Sequence, residues 1–201
     1  MIDLNYTDKF FFFTNTLNDI IKTNFFKFQN LSIVYKIDNN NLNIDEFIKI
    51  KVFCKKKGIK IYFPDNLKMA IKLGANGLFI SSSNNKIYQP YKKSFKFIGS
   101  AHSQKEFYFK SRQECDYIFL SPIFKTDKYP NNKILGLIKF NLMTLEWKKK
   151  LIALGGINER NLRKIFLTKS CGLGFVSLMK SLKIKKPVYF IKNTRAFFNY
   201  V

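Results

Sequence analysis

The sequence has few of the residues that most often carry metal or nucleophilic chemistry. Its 201 residues include one histidine, His102, and three cysteines. Cys54, Cys115 and Cys171 lie far apart and form no C-x-x-C pair. A zinc site built from histidine and cysteine is therefore excluded, and we expect buried free thiols rather than a disulfide framework. Any metal ion would be a hard cation held by oxygen ligands.

Long hydrophobic runs are also absent. No apolar run approaches the ~18 residues that suggest a membrane-spanning helix. The opening segment MIDLNYTDKFFFF lacks the basic start and small-residue cleavage site of a secretory signal. Hydrophobic residues make up 46% and charged residues 24%, which is typical of soluble globular proteins. We expect a cytoplasmic protein with no membrane contact, folded as one domain over 1–201.

Acidic residues are scarce: 13 Asp and Glu face 36 Lys and Arg, which gives a formal charge of +23. Such a charge often indicates a nucleic-acid binder. Arginine, which makes bidentate contacts to bases, nevertheless occurs only at positions 112, 160, 163 and 195. Lys, Asn, Ile and Phe are abundant along the whole chain, which indicates coding bias. A nucleic-acid partner stays the minor alternative, while the positive field would attract small phosphorylated substrates.

Short apolar segments recur with helix-like segments between them. Eight segments have the length and the β-branched or aromatic content of buried parallel strands: 10–13, 31–36, 59–63, 77–80, 95–98, 116–120, 151–154 and 174–177. Six or so helices are expected between them, and five have clear helical patterns: 16–28, 43–58, 65–75, 103–115 and 158–169. The alternation predicts an α/β fold, a single compact (β/α)8 TIM barrel, with an open doubly wound sheet as the alternative. Residues 81–94 carry little helical pattern.

The segment LIALGGINERNL, residues 151–162, places Gly155 and Gly156 between a strand and a helix. A tight turn is the simpler interpretation, because glycine tolerates positive φ. The alternative is a backbone that approaches an anion closely. In TIM barrels, phosphate often binds after strands seven and eight. The double glycine follows the seventh predicted strand and Ser177 ends the eighth, so the barrel prediction favours the anion interpretation.

Several blocks together resemble thiamine phosphate synthase and the related thiazole tautomerases, the TenI-like group. They are GSAHSQKE (99–106), CDYIFLSPIFKTDK (115–128), IALGGINERNL (152–162) and GLGFVSLM (172–179). The resemblance implies a TIM barrel that acts in thiamine biosynthesis. It would join hydroxymethylpyrimidine pyrophosphate to thiazole phosphate and release pyrophosphate. This transferase chemistry needs groups that stabilise the departing charge, and it needs no serine or cysteine nucleophile.

The resemblance also implies site residues. Ser100 and Lys128 correspond to catalytic positions. Residues that correspond to the family's phosphate- and pyrophosphate-binding positions are Lys36, Thr126, Lys128, Gly155, Gly156, Val176 and Ser177. The alternatives are an ordinary surface loop after the sixth strand and plain barrel turns after the seventh and eighth. His102 lies in the same block as Ser100, and its alternative is a histidine that only makes hydrogen bonds.

Magnesium is the cofactor that the resemblance implies, with Asp65 and Asn84 as its protein ligands. Asp65 has the alternative role of capping the helix that begins with NLKMA. The family usually has a second acid where this chain has Asn84, so one charge is lost, although an amide oxygen can bind magnesium. Lys86 and Lys125 are candidates to replace lost cationic groups.

The second strand departs from the family pattern, which is usually Gln-x-Arg-x-Lys. This chain has Ser32, Val34 and Lys36 there. The thiazole phosphate end is therefore kept and the pyrimidine and metal end is eroded. A divergent thiamine phosphate synthase is the leading hypothesis. A thiazole tautomerase that uses His102 and a non-catalytic binder of a phosphorylated ligand are the alternatives. The oligomeric state stays open, as does the choice between pocket and core for the aromatic residues Phe79 and Tyr88.

Overall fold

The computed structural model describes residues 9–23, 30–37, 41–88, 91, 95–126, 134–146, 150–158, 160–165 and 167–176. Strands and helices alternate along these residues. The strands are β1 Lys9–Thr14, β2 Leu31–Tyr35, β3 Lys60–Pro64, β4 Gly77–Ile80, β5 Lys96–Ala101, β6 Tyr117–Leu120, β7 Leu151–Leu154 and β8 Gly172–Phe175. The helices are α1 Leu17–Thr23, α2 Ile44–Lys56, α3 Leu67–Lys72, α4 Gln104–Arg112, α5 Gly136–Glu146 and α6 Leu162–Ile165.

The eight strands form one closed parallel barrel. Each strand pairs with the next in sequence, and β8 returns to pair with β1, with Phe10 opposite Leu173 and Phe12 opposite Phe175. Closure leaves no sheet edge, so the TIM barrel prediction is confirmed and the open doubly wound sheet is wrong. None of the described helices is long and apolar enough to cross a membrane.

Two apolar layers hold the barrel together. Phe10 and Phe12 face outward, into a layer that the strands share with helix residues such as Phe47. Phe11 and Phe13 face the barrel interior, because side chains alternate along a strand. The interior cluster contains only strand residues: Phe11, Phe13, Val34, Tyr62, Ile98, Phe119 and Ile152. Burial on both faces explains why strands such as 10–13 are continuously apolar in the sequence.

Asparagine and serine caps set where three helices begin. Asn43 accepts a hydrogen bond from the Glu46 N–H at 2.9 Å and so caps α2. Asn66 accepts from the Met69 N–H at 3.0 Å and caps α3. Ser103 does the same for α4. The cap of α3 is thus Asn66, and the interpretation of Asp65 as this helix cap is wrong.

Other local predictions also differ from the structure. Helix α5 is missing from the predicted helices, although its residues Phe140 and Met143 are buried at helical spacing. Helix α6 is only four residues long, because the side chain of Asn158 accepts the N–H groups of Arg160 and Asn161 and forms a turn first. The sequence predicts the eighth strand at 174–177, whereas β8 lies two residues earlier, at Gly172–Phe175. Residues 81–88 contain no helix, as the sequence predicts.

The three cysteines are free. Cys54 and Cys115 are buried as expected, whereas Cys171 is only half-buried. Burial raises the pKa of the Cys54 thiol to about 12. A thiol with this pKa holds almost no thiolate near neutral pH, so Cys54 fills core space and is not a nucleophile.

The interior layer makes a testable contribution to stability. Phe119 is fully buried, and its ring centroid lies 4.9 Å from that of Phe11 and 5.3 Å from that of Phe13. Phe119→Ala leaves a cavity at the barrel axis, so we expect the free energy of unfolding in urea to fall by about 3–5 kcal/mol. The control is Tyr108→Ala on α4, where the side chain is exposed and we expect a change of about 0.5 kcal/mol. Equal losses would contradict the assignment of Phe119 to the packed interior.

Candidate functional site

Every predicted site residue that the structure describes lies at or beyond the carboxyl end of its strand. In a parallel barrel these ends meet at one mouth, where TIM-barrel active sites are found. The residues are Lys36 after β2, Asp65 after β3, Asn84 after β4, Ser100 in β5, Thr126 after β6, Gly155 and Gly156 after β7, and Val176 after β8. Lys128 and Ser177 lie outside the described residues, so their placement is untested and their roles stay predictions.

Strand alternation directs several of these residues toward the barrel axis. Ser100 lies two residues beyond Ile98, which packs in the interior cluster. Lys36 lies two residues beyond the interior residue Val34, and its backbone N–H donates to the Thr14 carbonyl at 2.9 Å. Ser100 is buried and Lys36 is half-buried. By this alternation, the side chains of Ser100 and Lys36 leave the backbone toward the inner side of the mouth.

Three phenylalanines close the barrel beneath the mouth. The ring centroids of Phe13 and Phe79 lie 5.4 Å apart, those of Phe13 and Phe119 5.3 Å, and those of Phe79 and Phe119 6.0 Å. Phe79 is half-buried and the other two are buried. We call this group the aromatic floor. Tyr88, in contrast, is buried beside Phe97 in the outer core layer and is core rather than pocket.

The double glycine is held against the loop that follows β6. The Ile123 N–H donates to the Leu154 carbonyl at 2.9 Å, and the Phe124 N–H donates to the Gly155 carbonyl at 3.1 Å. Gly156 has φ +70°, and a Cβ there would lie 2.5 Å from the Lys125 carbonyl oxygen. Glycine is therefore required here both by a positive φ and by a close approach of backbone. The same contacts place the carbonyl of Lys125, the residue before Thr126, against Gly156.

The Gly156 backbone is also fixed on its other side. The Asn161 side chain donates to the Gly156 carbonyl at 2.7 Å. Within the described part of the chain, no residue accepts a hydrogen bond from the Gly156 N–H. A backbone donor that is held in place in this way is suited to bind an anion.

Asp65 and Asn84, the predicted magnesium ligands, hydrogen-bond directly to each other. Asn84 Nδ2 donates to Asp65 Oδ1 at 2.9 Å, and the Ser81 N–H donates to the same oxygen at 2.9 Å. Asn84 Oδ1 accepts from the Lys86 N–H at 3.0 Å. The hydroxyl of Tyr88 adds contacts to Asn84 Nδ2 and to the Asp65 carbonyl.

As arranged, this pair does not fit a magnesium ion shared between its side chains. The Asn84 amide presents its N–H groups, not its oxygen, to Asp65. No group of three or more His, Cys, Asp or Glu that could hold a metal ion exists among the described residues. The magnesium site stays a prediction, and it would require the amide of Asn84 to turn over.

Two buried side chains of the α4 region hold the loop after β4 from behind. Lys110 Nζ donates to the Asn84 carbonyl at 2.6 Å. Gln113 Nε2 donates to the carbonyls of Asn84 and Lys86, each at 2.8 Å. Burial lowers the pKa of the Lys110 amine, and the charges of Cys115, Asp65 and Glu106 oppose this effect.

His102 connects the ends of β5 and β6. Its Nδ1 lies 2.8 Å from the Ser121 carbonyl oxygen and 3.1 Å from the Ser121 hydroxyl. The carbonyl can only accept, so Nδ1 carries a proton and donates to it. The arrangement favours the interpretation of His102 as a residue that makes structural hydrogen bonds.

With this geometry, the comparisons decide the family. The model of the family described as "Thiamine monophosphate synthase" matches residues 34–182, more than half of the chain. The chain belongs to the thiamine monophosphate synthase family. The resemblance that the sequence blocks indicate is therefore confirmed.

Curated relatives are similar at modest identity. A thiamine-phosphate synthase of Prochlorococcus marinus is 28% identical over 150 residues, which cover 71% of this chain but only 41% of that protein. One from Lactococcus lactis is 23% identical over 167 residues, which cover 81% of this chain and 76% of that protein. The chain thus spans about two fifths of the length of the first relative and about three quarters of the second.

Solved structures share the fold. Thiamine phosphate pyrophosphorylase from Pyrococcus furiosus aligns with a TM-score of 0.69 at 18% identity and covers 84% of this chain and 85% of that one. N-(5'-phosphoribosyl)anthranilate isomerase from the same organism aligns with a TM-score of 0.60 at 15% identity, over 89% and 93%. At these identities the likeness shows the barrel fold alone.

The sequence does not predict three features of the site: the aromatic floor, Lys110 and Gln113. The contacts of Phe13 and Phe119 with Phe79 depend on the register of the strands. Lys110 and Gln113 look like ordinary helix residues in the sequence. Their only signal was their position at the end of a helix that follows the fifth strand.

The packing around the double glycine can be tested against a matched glycine. Gly58, after α2, has φ +66°, and a Cβ there would meet nothing within 4 Å. Gly156→Ala and Gly58→Ala carry similar backbone strain, but only the first overlaps the loop after β6. We expect Gly156→Ala to lower the free energy of unfolding by about 1–3 kcal/mol more than Gly58→Ala in urea titrations. Equal losses would mean that Gly156 serves only as a turn.

Proposed function

We propose that this family member acts as a thiamine phosphate synthase. It would join hydroxymethylpyrimidine pyrophosphate to thiazole phosphate and release pyrophosphate. The observation that carries the proposal is the pairing of the loop after β6 with the double glycine after β7. It packs the segment that leads into Thr126 against Gly155 and Gly156 at the mouth of the barrel. These are the elements that the family resemblance assigns to phosphate binding.

Thiazole phosphate would bind between the ends of β7 and β8. The Gly156 N–H donates to no described residue, and Val176 follows β8 with an exposed side chain. Backbone N–H groups and the hydroxyl of Ser177 would donate to the phosphate oxygens. Hydrogen bonds to a charged group contribute about 1.5–3 kcal/mol each, so several donors that converge on the phosphate would favour its binding.

The pyrimidine would lie over the aromatic floor. Phe79 is the floor residue that is only half-buried, so a flat ring above it would gain apolar contact. Lys36 and Ser100 lie on the inner side of the mouth beside it. They and Lys128 are the candidates to bind the pyrophosphate.

The chemistry is the departure of a charged group. The carbon–oxygen bond to pyrophosphate breaks and the electron pair leaves with the pyrophosphate. The thiazole nitrogen then attacks the cation-like pyrimidine carbon. Lysine ammonium groups and hydroxyls that point to the leaving oxygens lower this barrier. The large positive charge of the chain also favours the arrival of two anionic substrates.

Product formation tests the proposal. Purified protein is supplied with both substrates and Mg2+, and thiamine phosphate is measured. We expect turnover, and we expect Lys128→Ala to lower it by about 10²-fold because a charge-stabilising group is lost. The control is Lys55→Ala. Lys55 is exposed in the last turn of α2, at the end of the barrel opposite the mouth, and its removal is expected to leave turnover unchanged.

Two other results would overturn the enzyme proposal. Thiazole phosphate that binds in a titration without any product would indicate a non-catalytic binder. Tight, salt-sensitive binding of nucleic acid with no response to either small substrate would favour the electrostatic alternative.

A further inference from the structure

The orientation of the Asn84 amide is fixed by a donor that cannot act as an acceptor. The backbone N–H of Lys86 points at Asn84 Oδ1 from 3.0 Å. A backbone N–H only donates, so the atom facing it must be the amide oxygen. The amide nitrogen is therefore the atom that faces Asp65, at 2.9 Å.

The side chain and the backbone of Asp65 are both held by hydrogen bonds. Its Oδ1 accepts both the Asn84 amide and the Ser81 N–H. Its backbone N–H donates to the Phe79 carbonyl at 2.8 Å. The residue has φ +53°, a conformation that is uncommon outside glycine. The carboxylate is thus fixed with two N–H groups on one oxygen.

The core side of the loop makes the arrangement rigid. Lys110 and Gln113 are both fully buried, and both donate to the Asn84 carbonyl. A buried amine is costly unless it is hydrogen-bonded. Moving the Asn84 backbone would take the acceptor from Lys110 and one of two acceptors from Gln113, which would keep only the Lys86 carbonyl. Asn84 is therefore locked at its carbonyl, its amide oxygen and its amide nitrogen.

A divalent cation between Asp65 and Asn84 would need an oxygen lone pair from each side chain. Asn84 instead directs the N–H of its amide toward Asp65. Magnesium requires oxygen ligands at about 2.0–2.1 Å in near-octahedral geometry. The N–H groups of Asn84 and Ser81 already supply positive partial charge to Asp65. The Asn84 amide thus stabilises the negative charge of Asp65, as a bound cation would stabilise a pair of carboxylates.

We propose that the Asn84 amide takes the place of the divalent cation at Asp65, so the free protein binds no metal ion between these residues. Only the consequence for catalysis rests on the proposed function. Magnesium that turnover requires would arrive with the substrate pyrophosphate. Lysines such as Lys36, Lys86 and Lys125, which follow β2, β4 and β6, would supply the fixed positive charge.

Asn84→Asp tests the proposal by direct metal binding. Mn2+ is titrated into each substrate-free protein, and the free ion is followed by electron paramagnetic resonance. The second carboxylate removes the donor and repels Asp65, so a cation becomes the stabilising partner. We expect the variant to bind Mn2+ at least ~10-fold more tightly than the unaltered protein. Mg2+ should also raise the melting temperature of the variant and not that of the unaltered protein.

Asn85→Asp is the matched control. Asn85 is the next residue and is exposed, so the variant carries the same charge change in the same loop without touching Asp65. We expect its Mn2+ affinity to equal that of the unaltered protein. A gain equal to that of Asn84→Asp would mean that charge alone acts, and would overturn the proposal.

Mn2+ binding by the unaltered protein is the second test of the proposal. Mn2+ binding that is as tight as in Asn84→Asp, and that is lost in Asp65→Asn, would overturn the proposal. If Asn84→Asp does not fold, this comparison decides alone, because an affinity that Asp65→Asn leaves unchanged supports the proposal. The titration contains no substrate. Failure to make thiamine phosphate would therefore remove the proposed function and leave the metal inference standing.

Discussion

The pairing of β8 with β1 is the constraint on which the rest of the structure depends. Once the parallel sheet closes, every carboxyl end points to one mouth and every second side chain points to the axis. The axis must then be filled, and this chain fills much of it with aromatic rings contributed by β1, β3, β4 and β6. Closure therefore determines both the aromatic floor and the set of loops that can reach a substrate.

The two halves of the mouth are built in different ways. Between β6 and β7, backbone hydrogen bonds and a glycine without room for a side chain hold the loop, so few side chains are specified. Between β3 and β4, the side chains of Asp65 and Asn84 hold the loop together, and buried donors support it from α4. The first arrangement therefore depends on the backbone and on two glycines, and the second depends on particular side chains.

The effect of the positive charge depends on where each lysine lies, not on the total charge. Lys110 is buried and donates a hydrogen bond to the Asn84 carbonyl in the loop after β4. Lys36 is half-buried at the inner side of the mouth, whereas Lys55 is an exposed helix-end residue. In the proposed reaction, only lysines near the mouth would stabilise the leaving pyrophosphate, because charges on the surface are screened within about 10 Å. A formal charge of +23 is therefore compatible with a small-molecule site in which only a few lysines lie near the ligand.

The sequence by itself determined the barrel and the position of its mouth. Eight apolar segments with helices between them allow few other folds, and the segment 151–154 matches β7 residue for residue. It also placed the candidate residues at strand ends. The choice of Asn66 rather than Asp65 as the cap of α3 is local, because Asn66 bonds to the N–H of Met69 three residues later. Only the tertiary structure decided that Asn84 turns its nitrogen to Asp65, and that Lys110 and Gln113 lie behind that loop. These contacts join residues 19 to 29 apart in the chain, which local periodicity does not encode. The hydrogen-bond partner of an amide is set by its neighbours in space, and the chain shows those neighbours only when the barrel has closed.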